Sequence, residues 1–96
     1  MINITSQTTT TLYGIAVDDQ VKTVKTSLRI TNNHSDVQEI SIFLHDGAAV
    51  AHYLIKNLII PKATAFQLDE VEFENYKYSL HITTHSSTTN ITVIEK

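Results

Sequence analysis

The chain has 96 residues and a mass of 10.8 kDa, with 42% hydrophobic and 18% charged residues, a net charge of -3 and no cysteine. That length carries one domain, residues 1–96, with a modest core, and the missing cysteines remove disulfides, thiolate metal ligands and thiol redox chemistry. The acidic balance argues against a nucleic-acid-binding domain, which usually carries a basic stripe, and the longest aliphatic run, Leu58-Ile59-Ile60, falls far short of the roughly 18 apolar residues that span a bilayer.

The opening Met1-Ile2-Asn3-Ile4-Thr5-Ser6-Gln7 lacks the basic segment and apolar block of a secretory signal, which predicts a chain made and kept inside a cell. Residues 1–7 read as a flexible or subunit-pairing arm. The threonine-rich stretch 6–11 reads as a loose approach to a first strand over 8–16, or as part of that arm. Threonine suits strands because its branched Cβ restricts χ1 in a way that fits a pleated surface, and its hydroxyl tolerates water on the outer face.

Over residues 22–31, Val24, Thr26, Leu28 and Ile30 alternate with Thr23, Lys25, Ser27 and Arg29, so one face is dry and the other wet. Over 37–46, Ile40, Ile42 and Leu44 alternate with Glu39, Ser41, Phe43 and His45, and only Phe43 breaks the pattern. The segment 48–59 is the chief rival for a helix, but its β-branched residues and the alternation of Val50, His52 and Leu54 favour a strand over 50–57. Over 64–73, Phe66 and Leu68 share one parity before Val71 and Phe73 take the other, which predicts a bulge or corner between them. Tyr78, Leu80 and Ile82 alternate with Lys77, Ser79, His81 and Thr83, and the closing strand sets Ile91 and Val93 inward with Ile94 capping an end of the core. Turn chemistry falls at Asp18-Asp19, across 32–36, at Asp46-Gly47, Pro61-Lys62 and Glu74-Asn75, and across 85–90. Short strands at this spacing predict an all-β protein, a single antiparallel β-sandwich or jelly roll of seven to eight strands.

No pattern commits the chain to catalysis. His34, His45, His52, His81 and His85 invite a metal test, but residues four apart on a strand, such as His81 and His85, stand about 13 Å apart, too far to chelate one ion. The acidic run Asp69, Glu70, Glu72 and Glu74 reads as a solvated outer face, and Asp18-Asp19 as a turn. With two glycines, neither a nucleophile elbow nor a phosphate cradle can be drawn. Sequons at Asn3, Asn33 and Asn90 occur by chance in an Asn- and Thr-rich chain, and Tyr13, Tyr53, Tyr76 and Tyr78 make no convincing sugar platform. These readings predict no enzyme activity, no cofactor, no metal and no small-molecule substrate.

The phrases Leu12-Tyr13, Leu28-Arg29-Ile30-Thr31-Asn32-Asn33, Ile40-Ser41-Ile42-Phe43-Leu44, Tyr53-Leu54, Asn57-Leu58-Ile59-Ile60-Pro61 and Ile91-Thr92-Val93-Ile94-Glu95, in that order, resemble small β-sandwich structural proteins of tailed bacteriophage virions. Many such proteins have glycine after the proline of the edge turn and a Gly-Asp pair before the penultimate strand, where this chain reads Pro61-Lys62-Ala63 and Glu74-Asn75-Tyr76. The resemblance implies a homo-oligomeric subunit of the head, neck or tail, used as decoration, cement or connector. It implies other virion structural proteins as partners and the virion as its location after synthesis in the host cytoplasm. Interface candidates are Thr8, Thr9, Thr10 and Thr11 in the amino-terminal arm, and Leu58, Ile59, Ile60 and Pro61 as an exposed apolar edge. Two other readings stand beside it. One is a carbohydrate- or receptor-binding module acting through loops 32–36 and 85–90, and the other a hydrolase or metal enzyme using His81 and His85 with the 70–74 strand.

Overall fold

The computed structural model describes residues 1–14, 23–47, 50–75 and 77–95 of the chain. Strands dominate because β-branched and aromatic residues recur at period two. In order they are β1 (Ile2–Ile4), β2 (Thr9–Tyr13), β3 (Thr23–Asn32), β4 (Gln38–His45), β5 (Ala51–Ile60), β6 (Ala65–Glu74), β7 (Ser79–Thr84) and β8 (Ile91–Glu95). One antiparallel sheet runs β1-β8-β3-β6, hereafter sheet 1, and the other β2-β7-β4-β5, hereafter sheet 2. The pairs β1 with β8, β2 with β7, β3 with β6 and β4 with β5 are those of one long antiparallel hairpin folded over on itself. This is a jelly-roll order, which sets the four-strand sheets face to face.

The core lies between the sheets, and strand parity locates it. Leu28, Ile30, Ile40, Ile42, Leu80, Ile82, Ile91 and Val93 are fully buried, and Ile4, Ile60, Val71 and Phe73 join them. Tyr13 of β2 meets Phe73 of β6 edge to face, centroids 6.0 Å apart, which ties the two sheets together. The parity switch in β6 is a bulge. Thr26 pairs with Val71 and Leu28 with Leu68, so Asp69 and Glu70 stand opposite Ser27 alone, and Glu70 takes a φ of 57°.

Three expectations are corrected. Ile94 does not cap the core; it pairs with Arg29 and keeps 37% of its surface on the outer face of sheet 1. The alternation of Val50, His52 and Leu54 does not carry through β5, because the strand is interrupted twice against β4, once between Tyr53 and Ile55 and once between Ile55 and Leu58. Its core-facing residues are instead Ile55, Leu58 and Ile60, opposite Ile42, Ile40 and Gln38. Residues 1–7 are folded against their own chain: Ile2–Ile4 pairs with β8, Ile4 is buried, Thr84 Oγ1 donates to the Ser6 carbonyl, and Gln7 Nε2 donates to the His85 carbonyl. The Asp18-Asp19 turn lies outside the described residues.

Connections 5–8, 33–37, 61–64 and 85–90 gather at one end of the sandwich and are tied by buried amides. Asn32 Nδ2 donates to the carbonyls of Asp36, Ile60 and Pro61 at 2.9, 3.0 and 3.2 Å, while its Oδ1 accepts from His34 N–H at 2.9 Å. Gln38 Nε2 donates to the Thr88 carbonyl at 2.9 Å, and Asn33 N–H to the Asn90 carbonyl at 2.9 Å. Buried polar groups need such partners, so these bonds hold the loops in place.

Candidate functional site

Two surfaces of sheet 2 carry the features that the core does not explain. The first is its outer face, where a row crosses the strands from Thr11 through His81 and Phe43 to Tyr53, set by the pairings Thr11–His81, His81–Phe43 and Phe43–Tyr53. Phe43 and His81 stack 5.1 Å apart at 18°, and Tyr53 meets Phe43 at 5.5 Å with Lys56 Nζ 5.0 Å from its ring centre. The break in parity at Phe43 is therefore the centre of this row.

His81 is held from both sides. Its Nδ1 shares a hydrogen with Thr11 Oγ1 at 3.2 Å and its Nε2 with Ser79 Oγ at 2.7 Å. Burial pushes the imidazole below its ordinary value, and the nearby His45 ring, edge-on at 6.2 Å, pushes it further in the same direction. The ring faces of Phe43 and His81 cover each other, and Tyr53 is capped by Lys56, so the row offers solvent ring edges rather than an open stacking platform for a sugar. Tyr13 and Tyr78 pack against the core; Tyr76 lies outside the described residues.

The second surface is the open edge formed by β5. It pairs only with β4 among the described residues, although it is ten residues long. Along and beside it stand Val50, Tyr53, Leu54 and Ile59, exposed by 50%, 49%, 43% and 59%, a concentration of apolar surface that solvent alone disfavours. The interruption before Leu58 is built by two residues. Asn57 adopts a φ of 56°, a conformation asparagine tolerates, and its N–H donates to Ser41 Oγ at 2.9 Å. Ser41 Oγ also shares a hydrogen with His85 Nε2 at 2.8 Å. Ser41 is buried, so this hydroxyl–imidazole pair fastens the bulge of β5 rather than facing a cleft.

The expected interface residues divide between core and surface. Thr9, Thr10 and Thr11 lie in β2, the opposite edge of sheet 2 from β5, and Thr8 precedes it, exchanging bonds with Thr84. Thr9 and Thr11 spend their hydroxyls on Thr83 and His81. Leu58 and Ile60 turn to the core, whereas Ile59 and Pro61 are exposed. Sequence reasoning missed Val50, Tyr53 and Leu54 as members of this edge. A signal was present: residues 47–68 contain no Asp or Glu in a net-acidic chain.

The grouping of His81 and His85 with the 70–74 strand is not formed. His81 lies on β7 in sheet 2 and His85 just past its end, bonded to Ser41 of β4, while Glu70 and Glu72 line a groove of sheet 1 with Lys25, Thr26 and Ser27. Among the described residues, no three His, Asp or Glu side chains gather as metal ligands. Loops 32–36 and 85–90 do meet, through the Asn33–Asn90 bond and a 2.7 Å bond between Asn33 Nδ2 and Thr92 Oγ1. Compared with protein-family models, curated proteins and solved structures, the chain shows no match.

Proposed function

We propose that this chain is a noncatalytic structural subunit that acts by protein–protein assembly, in a tailed-bacteriophage virion, as a capsid decoration or cement protein or a neck or tail component. The observation that carries the reading is the β5 edge: ten residues long, open on one side among the described residues, with Tyr53, Leu54 and Ile59 exposed. A long open strand with apolar side chains is a template for another chain; proteins that stay single blunt such edges with charge or bulges, and β5 has two interruptions but, for charge, only Lys56 and His52. The jelly-roll order agrees, since capsid proteins share it, but lectins share it too, and the fold alone does not choose between them. The choice of virion rests on the resemblance of the strand phrases. The stacked ring faces and filled hydroxyl contacts on sheet 2 weigh against a sugar platform.

The test is a double substitution on the edge, Leu54→Glu with Ile59→Glu. Both side chains are exposed, so the expected variant keeps the wild-type circular dichroism and thermal midpoint but loses self-association in sedimentation velocity. A variant that associates as well as the wild type would remove β5 as the assembly surface.

A further inference from the structure

We infer that two copies of this chain form a closed two-fold dimer in which β5 of each copy pairs with β6 of the other. The inference rests on the assembly reading and names its partner and geometry. It begins with the connection from β5 to β6. These strands are outer strands of different sheets, joined by residues 61–64. The five Cα–Cα steps from Ile60 to Ala65 span at most about 18 Å, and packed sheets lie about 10 Å apart. Both long edges therefore lie on the same side of the sandwich, and Asn32 holds the two ends of the connection at nearly the same height, its backbone N–H donating to the Thr64 carbonyl at 2.9 Å and its side chain to the Ile60 carbonyl at 3.0 Å. A two-fold axis beside that flank and parallel to the strands brings β5 against β6 of the second copy, antiparallel, twice. Each sheet 2 then continues into the partner's sheet 1.

With Ile60 level with the start of β6, this axis fixes the register. Ile60 falls opposite Phe66, Leu58 opposite Leu68 and Lys56 opposite Glu70 of the other copy. Core-facing residues meet core-facing residues at the first two positions. A cation meets a carboxylate at the third. The irregularities also coincide: the left-handed Asn57 of β5 stands beside the Asp69-Glu70 bulge of β6, where Glu70 is left-handed as well. A bulge ordinarily spoils a ladder, because it flips the facing of every later residue. These two bulges at one level flip both strands together, and the second interruption of β5, between Tyr53 and Ile55, has no counterpart in β6 and ends the matched ladder there.

Charge distinguishes this arrangement from the alternatives. Pairing β6 with β6 sets Asp69, Glu70, Glu72 and Glu74 against their own copies, and pairing β5 with β5 sets Lys56 near Lys56. Only β5 with β6 joins opposite signs, which are favourable across strands where like signs are not. Glu72 already has Lys25 beside it on β3, so Glu70 is the carboxylate offered outward to Lys56.

The test uses charge reversal and its repair, read by light scattering over a concentration series, with circular dichroism to verify folding. Wild type is expected to saturate at twice the chain mass. Lys56→Glu and Glu70→Lys are each expected to weaken the dimer about tenfold, since each spoils two symmetry-related contacts. The double variant, with both reversals in one chain, is expected to recover most of that loss. A Glu70→Lys chain that dimerises like wild type, a double variant no better than the single ones, or a mass that grows past two copies would overturn the dimer and leave the assembly reading standing. A wild-type chain that is monomeric at every concentration would remove both.

Discussion

Ala63 stands in the left-handed region, with a φ of 55°, in the exposed connection between β5 and β6. Its Cβ makes that conformation costly, whereas glycine adopts it without strain. Ala63→Gly is therefore expected to raise stability by about 1 kcal/mol, less the extra freedom glycine adds to the unfolded chain. Urea titration measures it, and a fall in the midpoint would count against the strain. The residue also illustrates how far sequence reached: the Pro61-Lys62-Ala63 turn was legible from its proline, and the absent glycine was visible, but the backbone angle that makes its absence matter was not. His81 gives a second residue-scale expectation. Its folded-state value lies below the ordinary 6.5, from burial first and His45 second, so near that pH the unfolded chain holds more protons than the folded one. Stability is then full above 6.5, falls as pH drops through it, and levels off below the folded value. His81→Gln, which keeps partners for Thr11 and Ser79, is expected to lessen the loss of urea stability between pH 7.5 and 5.5. An unchanged loss would assign it to other groups.

At the scale of elements, strands with clean alternation were legible because burial on one face imposes period two. β3, β4, β7 and β8 are such strands, and their buried hydrophobic residues are those the parity selects, whereas Ser41 and Ser79 are buried on the other parity. The bulge of β6 was legible for the same reason, since Phe66 and Leu68 could not share a face with Val71 and Phe73 without an extra residue. β5 was not, because an open edge relaxes the demand for alternation and two interruptions break it. β1 was missed because three residues hold too little pattern to be distinguished from an arm. The bulge at Asn57 depends on a residue from another strand, Ser41, which no local pattern reveals. Ser41→Ala is expected to cost about 1–2 kcal/mol, because it leaves the Asn57 N–H without its acceptor. Hydrogen exchange should show faster exchange at Asn57 and its neighbours in β5 than in β7; equal exchange along both strands would mean that the hydroxyl does not hold the bulge.

At the scale of the whole molecule, the folded-over hairpin leaves four outer strands of unequal kind. β1 has three residues and β2 five, so neither offers much to another chain, whereas β5 and β6 have ten each and share one flank. One of them is acidic and the other, within residues 47–68, is free of carboxylates. The candidate surface was thus only partly legible: Ile59 and Pro61 were named from their apolar neighbourhood, but Val50, Tyr53 and Leu54 became its members only when topology placed β5 at an edge. A jelly roll with one sticky flank and one blunt flank is suited to building by contact. The measurement that bears most directly on this is the native mass of the purified chain by light scattering across a wide concentration range. The account predicts a mass that rises to a defined multiple of 10.8 kDa and holds there. A mass of one chain at every concentration would contradict it.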